Sequence, residues 1–322
     1  MARYSPPPAE YQPGLVLQLR AAREGGDLLP AVVQDPALDS RLEALVLAHG
    51  FNNHEGEAGA AYQGFRLRQY ARAAPTVLAR GLERILADLF WPGDAAGGLF
   101  DLVDFLVYPA AVGVAPAAGR SLAGHLRGMP NLRLVHFVGH SLGCRVVLEA
   151  IRDIDFNGGP DVGRVCLMAA AVPTYMVESG GNLSFAIERP GRVRILYSDD
   201  DAVLKYTFGP GQTLAGAGEG FFPTALGRHG PPPGTPGRLE SHDIEGADHG
   251  HYWGHEQRAK YQPAVSAAVD RIAEFFHFGA WSRDVGGERS PAEVRDLAPP
   301  RDAGAPARDV PARSGRVRAY PI

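Results

Sequence analysis

The sequence predicts an α/β protein with a doubly wound, mostly parallel β-sheet, helices on both faces and no large lid domain. Short, continuous apolar runs recur along the 322 residues, and such runs are typical of strands buried on both faces of a parallel sheet. Stretches with apolar residues at helical spacing separate the runs, and this alternation favours a doubly wound sheet. Hydrophobic residues make up 45% of the chain and charged residues 21%, which suffices for one large core.

Seven apolar runs are the predicted strands, at residues 15–19, 45–48, 85–90, 132–138, 165–172, 193–197 and 239–244. Residues 30–33 are a further candidate strand. Helices are predicted at residues 58–80, at about 114–127, directly after residue 143, and at 264–276. Residues 173–188 predict only a short helical or irregular insertion, too small for a lid domain. The Gly/Pro-rich residues 208–238 predict a long loop.

One folded domain is predicted over residues 14–281. The preceding residues 1–13 contain three consecutive prolines and no periodicity, so they predict a loose N-terminal arm. Residues 282–322 are rich in Arg, Asp, Pro and Ala without an apolar period, which predicts a disordered tail.

Composition argues against several classes of partner. The formal net charge is −4, so a strongly basic nucleic-acid-binding surface is not expected. The sequence contains no run of about 18 apolar residues, so no membrane span is expected. Residues 1–14 lack the apolar segment of a secretory signal. Cys144 and Cys166 lie in apolar segments without a metal-type spacing, which predicts two buried free thiols. We therefore expect a cytoplasmic protein, while composition leaves the oligomeric state open.

The strongest functional signal is the pentapeptide Gly-His-Ser-Leu-Gly at residues 139–143. An apolar strand precedes it and a helical pattern follows, which is the context of a nucleophile on a sharp strand-to-helix turn. Bulky residues two positions either side of Ser141 would clash in such a turn, so Gly139 and Gly143 fit there. The turn raises the serine hydroxyl above the sheet edge, and Ser141 is therefore the predicted nucleophile.

A serine nucleophile needs a general base, and the base needs an acid that orients it. When the nucleophile lies on such a turn, the acid follows a later strand and the histidine comes last along the chain. Three aspartates follow the predicted strand at 193–197, namely Asp199, Asp200 and Asp201. One of them is the expected acid, and spacing alone does not choose among them.

The histidine is expected in the loop after the last strand, where His249 and His251 both qualify by position. His242 and His255 are weaker candidates. A metal cluster of Asp248 with His249, His251 and His255 is a competing interpretation. The segment contains no His-Glu-x-x-His pattern and is interrupted by Gly, so no metal is expected.

Two backbone N–H groups are expected to stabilise the oxyanion of an acyl-transfer reaction. One belongs to Leu142, directly after the nucleophile, and the other to Phe51, in the loop after the early strand that ends at His49. Trp91 ends a predicted strand on the side where ligands bind to α/β sheets. It is therefore either a core residue or part of a pocket wall.

Five motifs follow one another in a specific order. They are His-Gly-Phe-Asn-Asn at 49–53, Trp-Pro-Gly at 91–93, the pentapeptide at 139–143, Asp-x-Val-Leu at 201–204 and His-x-x-Tyr-Trp at 249–253. Over residues 40–275 the chain resembles the bacterial α/β-hydrolases of the DUF900-like group, which carry an oxyanion loop of the first type and a Trp-Pro dipeptide. The resemblance implies the α/β-hydrolase fold. It also implies that Asp201 is the acid, since Val-Leu follows, and that His249 is the base, since Tyr-Trp follows.

Together these features predict a serine hydrolase that cleaves a carboxylic ester or thioester through an acyl-enzyme on Ser141. His249 is the expected base and Asp201 the orienting acid, with a small-molecule, ester-like substrate and no cofactor. The alternative hypothesis is a non-catalytic binding module that retains the same core. The distance from Ser141 to the nearest histidine separates the two hypotheses.

Overall fold

Within the residues that the structure describes, seven strands, all paired in parallel, form the central sheet in the order β1-β5-β4-β6-β7-β8-β9. A short antiparallel pair, β2 with β3, stands apart from it. The strands are β1 Leu15–Gln18, β2 Arg23–Glu24, β3 Asp27–Leu28, β4 Glu43–Ala48, β5 Leu86–Phe90, β6 Leu134–His140, β7 Asp161–Met168, β8 Arg192–Tyr197 and β9 Leu239–Asp243. The predicted parallel sheet is thereby confirmed.

The computed structural model describes residues 15–19, 23–24, 27–28, 41–51, 55–73, 82, 85–93, 102–215 and 222–276. The predicted arm at 1–13, the candidate strand at 30–33 and the predicted tail at 282–322 lie outside these residues. So do positions 52 and 53 of the first motif.

The order of the strands places a crevice at one point of the sheet. From β4 the chain moves to β5 on one side and then returns to β6 on the other side. Every residue of these three strands is buried, as expected for a parallel sheet that is covered on both faces. Ligands of open α/β sheets bind at the carboxyl ends of the strands where the strand order reverses. The loops after β4 and β6 meet at that point.

Seven helices accompany the sheet within the described residues. They are α1 Glu55–Ala73, α2 Leu102–Gly128, α3 Gly143–Asn157, α4 Ser184–Glu188, α5 Gly209–Ala215, α6 Leu226–His229 and α7 Gln262–Phe276. Helix α1 packs against α7, where the Arg68 guanidinium donates a hydrogen bond to the Gln262 side chain at 2.9 Å. Helix α2 crosses α3 closely, because a Cβ atom added to Gly119 would lie 2.5 Å from the Glu149 Cβ.

Three local predictions were wrong. Helix α2 extends well before the predicted residues 114–127 and contains Pro109 and Pro116, although proline is normally a signal that a helix ends. Strand β7 ends at Met168 rather than at 172, because Ala169 takes a positive φ of 45°. The predicted loop at 208–238 contains helices α5 and α6.

Candidate active site

Ser141 lies on the sharp turn between strand β6 and helix α3. Its φ is +53°, a left-handed conformation that costs a non-glycine residue about 1–3 kcal/mol. The neighbouring strand holds it there. The Ser141 N–H donates to the Met168 carbonyl at 3.0 Å, and the Ala171 N–H donates to the Ser141 carbonyl at 3.1 Å. The surrounding backbone thus fixes a strained residue at the carboxyl edge of the sheet.

The two glycines of the pentapeptide are required by close backbone contacts. A Cβ atom on Gly143 would lie 2.2 Å from the His49 carbonyl oxygen, and one on Gly139 would lie 3.0 Å from the Cys144 Cα. Because Gly143 has no side chain, the end of strand β4 can approach the start of helix α3. The sequence predicted small residues at both positions. Gly143 is needed for the contact with the end of β4 and its loop, and Gly139 for the contact with the start of helix α3.

Gly143→Ala is expected to lower the free energy of unfolding by about 3 kcal/mol, because the added methyl group meets backbone that has no room to move. Gly124→Ala is the matched control. It lies exposed in helix α2 and its added Cβ would meet only the Arg127 side chain, at 3.8 Å, so it should be neutral or stabilising by up to about 1 kcal/mol. Urea unfolding of both variants measures the difference. Equal midpoints would contradict the close contact.

Three side chains from separate loops form a chain of hydrogen bonds at this edge of the sheet. The Ser141 Oγ lies 2.8 Å from the His249 Nε2, and the His249 Nδ1 lies 2.7 Å from the Asp201 Oδ2. A carboxylate only accepts hydrogen bonds, so Nδ1 carries the hydrogen and Nε2 presents its lone pair to the serine hydroxyl. The other carboxylate oxygen of Asp201 accepts the Leu204 N–H at 2.9 Å.

The structure places the competing aspartates elsewhere. Asp199 is exposed, with its carboxylate 3.2 Å from the His229 Nδ1, and the Asp200 carboxylate accepts the Gly246 N–H at 3.0 Å. Of the three aspartates that the sequence left open, Asp201 is the one that contacts His249.

The competing histidines also lie away from Ser141. The His251 Nδ1 accepts the Asp248 N–H at 3.0 Å and so closes the turn that carries His249. His242 belongs to strand β9, and His255 packs against Gly64 of helix α1. Within the described residues, no three His, Cys, Asp or Glu side chains are grouped to hold a metal ion.

Asp248 links the loop of the acid to the loop of the histidine. Its Oδ1 accepts the His249 N–H at 2.9 Å and the Ala202 N–H at 3.3 Å. Ala202 directly follows Asp201, so one carboxylate ties together the residues beside two members of the hydrogen-bonded chain. The sequence indicated Asp248 only as a candidate metal ligand and did not predict this role.

The loop after strand β4 lies against the nucleophile. A Cβ atom on Gly50 would lie 2.9 Å from the Ser141 Cβ, so the residue before Phe51 contacts the serine. Leu142 lies in the turn that opens helix α3, where the first N–H groups of a helix lack intrahelical partners. The roles of the Phe51 and Leu142 N–H groups at the oxyanion stay a prediction.

Two buried aromatic side chains hold this loop in place. The Tyr62 hydroxyl accepts the His49 N–H at 2.9 Å and donates to the Leu89 carbonyl, which bridges two strands. The Trp91 Nε1 donates to the His49 carbonyl at 2.8 Å, and the His49 and Trp91 rings stack at 5.6 Å. Trp91 is fully buried and supports the loop from below. The sequence did not predict the role of Tyr62.

The two cysteines are free and buried. Burial raises the pKa of the Cys166 thiol to about 12, and it raises the pKa of Cys144, three residues after Ser141, well above its usual value. A protonated thiol is a poor nucleophile. Neither thiol therefore competes with Ser141 as a candidate nucleophile.

Of the helices that the structure describes, none combines the length and the apolar character needed to cross a bilayer.

No protein-family model and no curated protein sequence matches the chain. Similar solved structures include carboxyl esterase 2 from Tuber melanosporum, at 12% identity and a TM-score of 0.38, covering 75% of this chain and 78% of that one. An esterase from Pyrobaculum calidifontis is 15% identical with a TM-score of 0.38, covering 75% and 77%. A histone deacetylase from Saccharomyces cerevisiae is 10% identical with a TM-score of 0.36, covering 76% and 81%. Likeness at this level assigns no activity to the chain.

The sheet and its turn define the class of fold. A parallel sheet whose strand order reverses beside a serine on a left-handed strand-to-helix turn is the α/β-hydrolase architecture. The predicted fold is thereby confirmed. The finer resemblance to the DUF900-like group stays a prediction.

Proposed function

We propose that the protein is a serine hydrolase that cleaves a carboxylic ester or thioester through an acyl-enzyme on Ser141. The observation that supports this most strongly is the hydrogen-bonded chain from the Ser141 Oγ through the His249 imidazole to the Asp201 carboxylate, with links of 2.8 and 2.7 Å. Both distances lie within the range for a nucleophile, its base and the base's orienting acid.

The first half of the reaction forms the acyl-enzyme. His249 takes the hydroxyl proton of Ser141 at Nε2 while the serine oxygen attacks the substrate carbonyl carbon. The Asp201 carboxylate keeps the hydrogen on Nδ1 and stabilises the imidazolium that forms. His249 then gives its proton to the departing alcohol or thiol, and the acyl group stays on Ser141.

The second half releases the acid. Water loses a proton to His249 and attacks the acyl carbon, and the proton returns to Ser141 as the ester bond to the enzyme breaks. In both halves the N–H groups of Phe51 and Leu142 stabilise the negative oxygen of the tetrahedral intermediate. No cofactor takes part in this scheme.

A fluorophosphonate probe tests the proposal, because it phosphonylates a serine only where a base activates the hydroxyl. We expect one adduct per chain, and peptide mass mapping should locate it on Ser141. Heat-denatured protein is the control and should stay unlabelled. A panel of esters with varied acyl and alcohol groups then defines the substrate. Wild-type protein that stays unlabelled would favour the alternative, a binding module without catalysis.

A further inference from the structure

His140, the residue directly before the nucleophile, contacts the loop that carries His249. Its side chain is buried at the end of strand β6, with 5% of its surface exposed. The His140 Nε2 lies 2.6 Å from the main-chain carbonyl oxygen of His249. A carbonyl can only accept, so the His140 ring donates this bond and carries its hydrogen on Nε2.

The His140 ring is held in its neutral form. Burial lowers the pKa of His140 well below its ordinary value, and the neighbouring His249 lowers it further. His255 and His49 act in the same direction. The two rings of His140 and His249 lie 4.9 Å apart, so a charge on His140 would oppose the charge that His249 acquires when it accepts the serine proton. A neutral donor avoids that conflict.

His249 depends on such contacts because it belongs to a turn between β9 and α7 and to no helix or strand. Its N–H is bound by the Asp248 carboxylate and its carbonyl by His140. The two main-chain groups of His249 are thus fixed by side chains on opposite sides of its Cα. Once the main chain is fixed, the Asp201 carboxylate needs only to set the rotation of the ring.

We propose that His140 is a positioning residue that sets the approach of His249 to Ser141 by holding the His249 carbonyl. This inference rests on the proposed hydrolase function. It assigns the donor of the bond to the His249 carbonyl to the first variable position of the pentapeptide, whose pattern requires only the serine and the flanking small residues. The strand that carries the nucleophile thereby also fixes the base, so a shift of one is passed to the other.

His140→Leu is expected to lower kcat by about 10- to 100-fold, since a displacement of the base of about 1 Å costs that order of rate. KM should change little, because His140 is buried behind the reacting groups. His140→Gln should recover most of the rate, since its amide can donate from about the position of Nε2. His140→Asn, whose shorter amide does not reach the His249 carbonyl, should stay slow and serves if the leucine variant does not fold.

His136→Leu is the matched control. It removes a buried imidazole from the same strand, where His136 bonds to Glu43 at 2.9 Å, away from the site. Rates are measured with an ester of the panel and divided by the active sites titrated with the fluorophosphonate. The control should lose stability but keep its kcat per titrated site.

The outcomes distinguish this inference from the function on which it rests. A slow leucine variant with glutamine rescue supports the positioning role. Wild-type kcat in His140→Leu, or equal rates for the glutamine and asparagine variants, overturns that role while labelling of Ser141 still supports the hydrolase. An unlabelled wild type overturns both.

Discussion

Ser141→Ala is expected to lower kcat for ester hydrolysis by about 10⁵-fold or more, the order of loss seen when a triad serine is removed from a serine hydrolase. The alanine methyl group has no oxygen to attack the carbonyl, and no acyl-enzyme can form. The loop at Gly50 and the start of helix α3 keep their positions, so substrate binding remains and KM should stay within a few-fold. Initial rates over a range of ester concentrations on both sides of KM measure both constants.

Ser184→Ala is the matched control for this prediction. Ser184 is also buried, and its hydroxyl donates to the Gly181 carbonyl at 2.8 Å, but it opens helix α4 and takes no part in the proposed chemistry. It should keep the wild-type kcat. A Ser141→Ala protein that retains a tenth of the activity would show that the hydrolysis does not pass through Ser141.

Local sequence patterns were sufficient for the fold and for the turn that carries Ser141. The apolar strand before Ser141 and the helical pattern after Leu142 specify the strand, the turn and the helix without help from distant residues. The predicted order of acid and histidine along the chain also agrees with the positions of Asp201 and His249, because each follows the carboxyl end of a strand in one parallel sheet.

Features that depend on tertiary contacts could not be predicted in this way. Pro116 by itself predicts the end of a helix, yet helix α2 continues through it. Packing against helix α3 outweighs the low helix propensity of proline there. Strand β7 ends before Ala169, which takes a positive φ. A positive φ is usually indicated by a glycine, and the sequence has an alanine at this position. The long loop predicted at 208–238 has helices for a similar reason, since their stability comes from packing.

The supporting residues of the site were missed because their partners are far along the chain. Tyr62 lies 13 residues from His49 and 27 from Leu89, and its position in helix α1 predicts only burial. Asp199, Asp200 and Asp201 are consecutive, so spacing treats them alike. What separates them is the direction of each side chain, which depends on how the turn after β8 meets the loop of His249.

Asp201→Asn is expected to lower kcat by about 10⁴-fold, the loss that accompanies a wrong histidine tautomer in a serine hydrolase. The reason lies in the second bond of the carboxylate. Asp201 accepts from both the Leu204 N–H and the His249 Nδ1–H, whereas asparagine has a single oxygen. With that oxygen on the buried Leu204 N–H, the amide NH₂ faces the His249 Nδ1 and can only donate to it.

That reversal moves the hydrogen of the neutral His249 ring to Nε2. The Nε2 atom then points a hydrogen at the Ser141 hydroxyl and can no longer accept the serine proton. The variant should fold and bind substrate, so the loss appears in kcat and in the rate of fluorophosphonate labelling. Asp199→Asn and Asp200→Asn are the matched controls, since each changes one neighbouring carboxylate by the same atom, and both should stay within a few-fold of wild type. A slow Asp199 or Asp200 variant beside a fast Asp201→Asn would assign the acid to a different aspartate and leave Ser141 as the nucleophile.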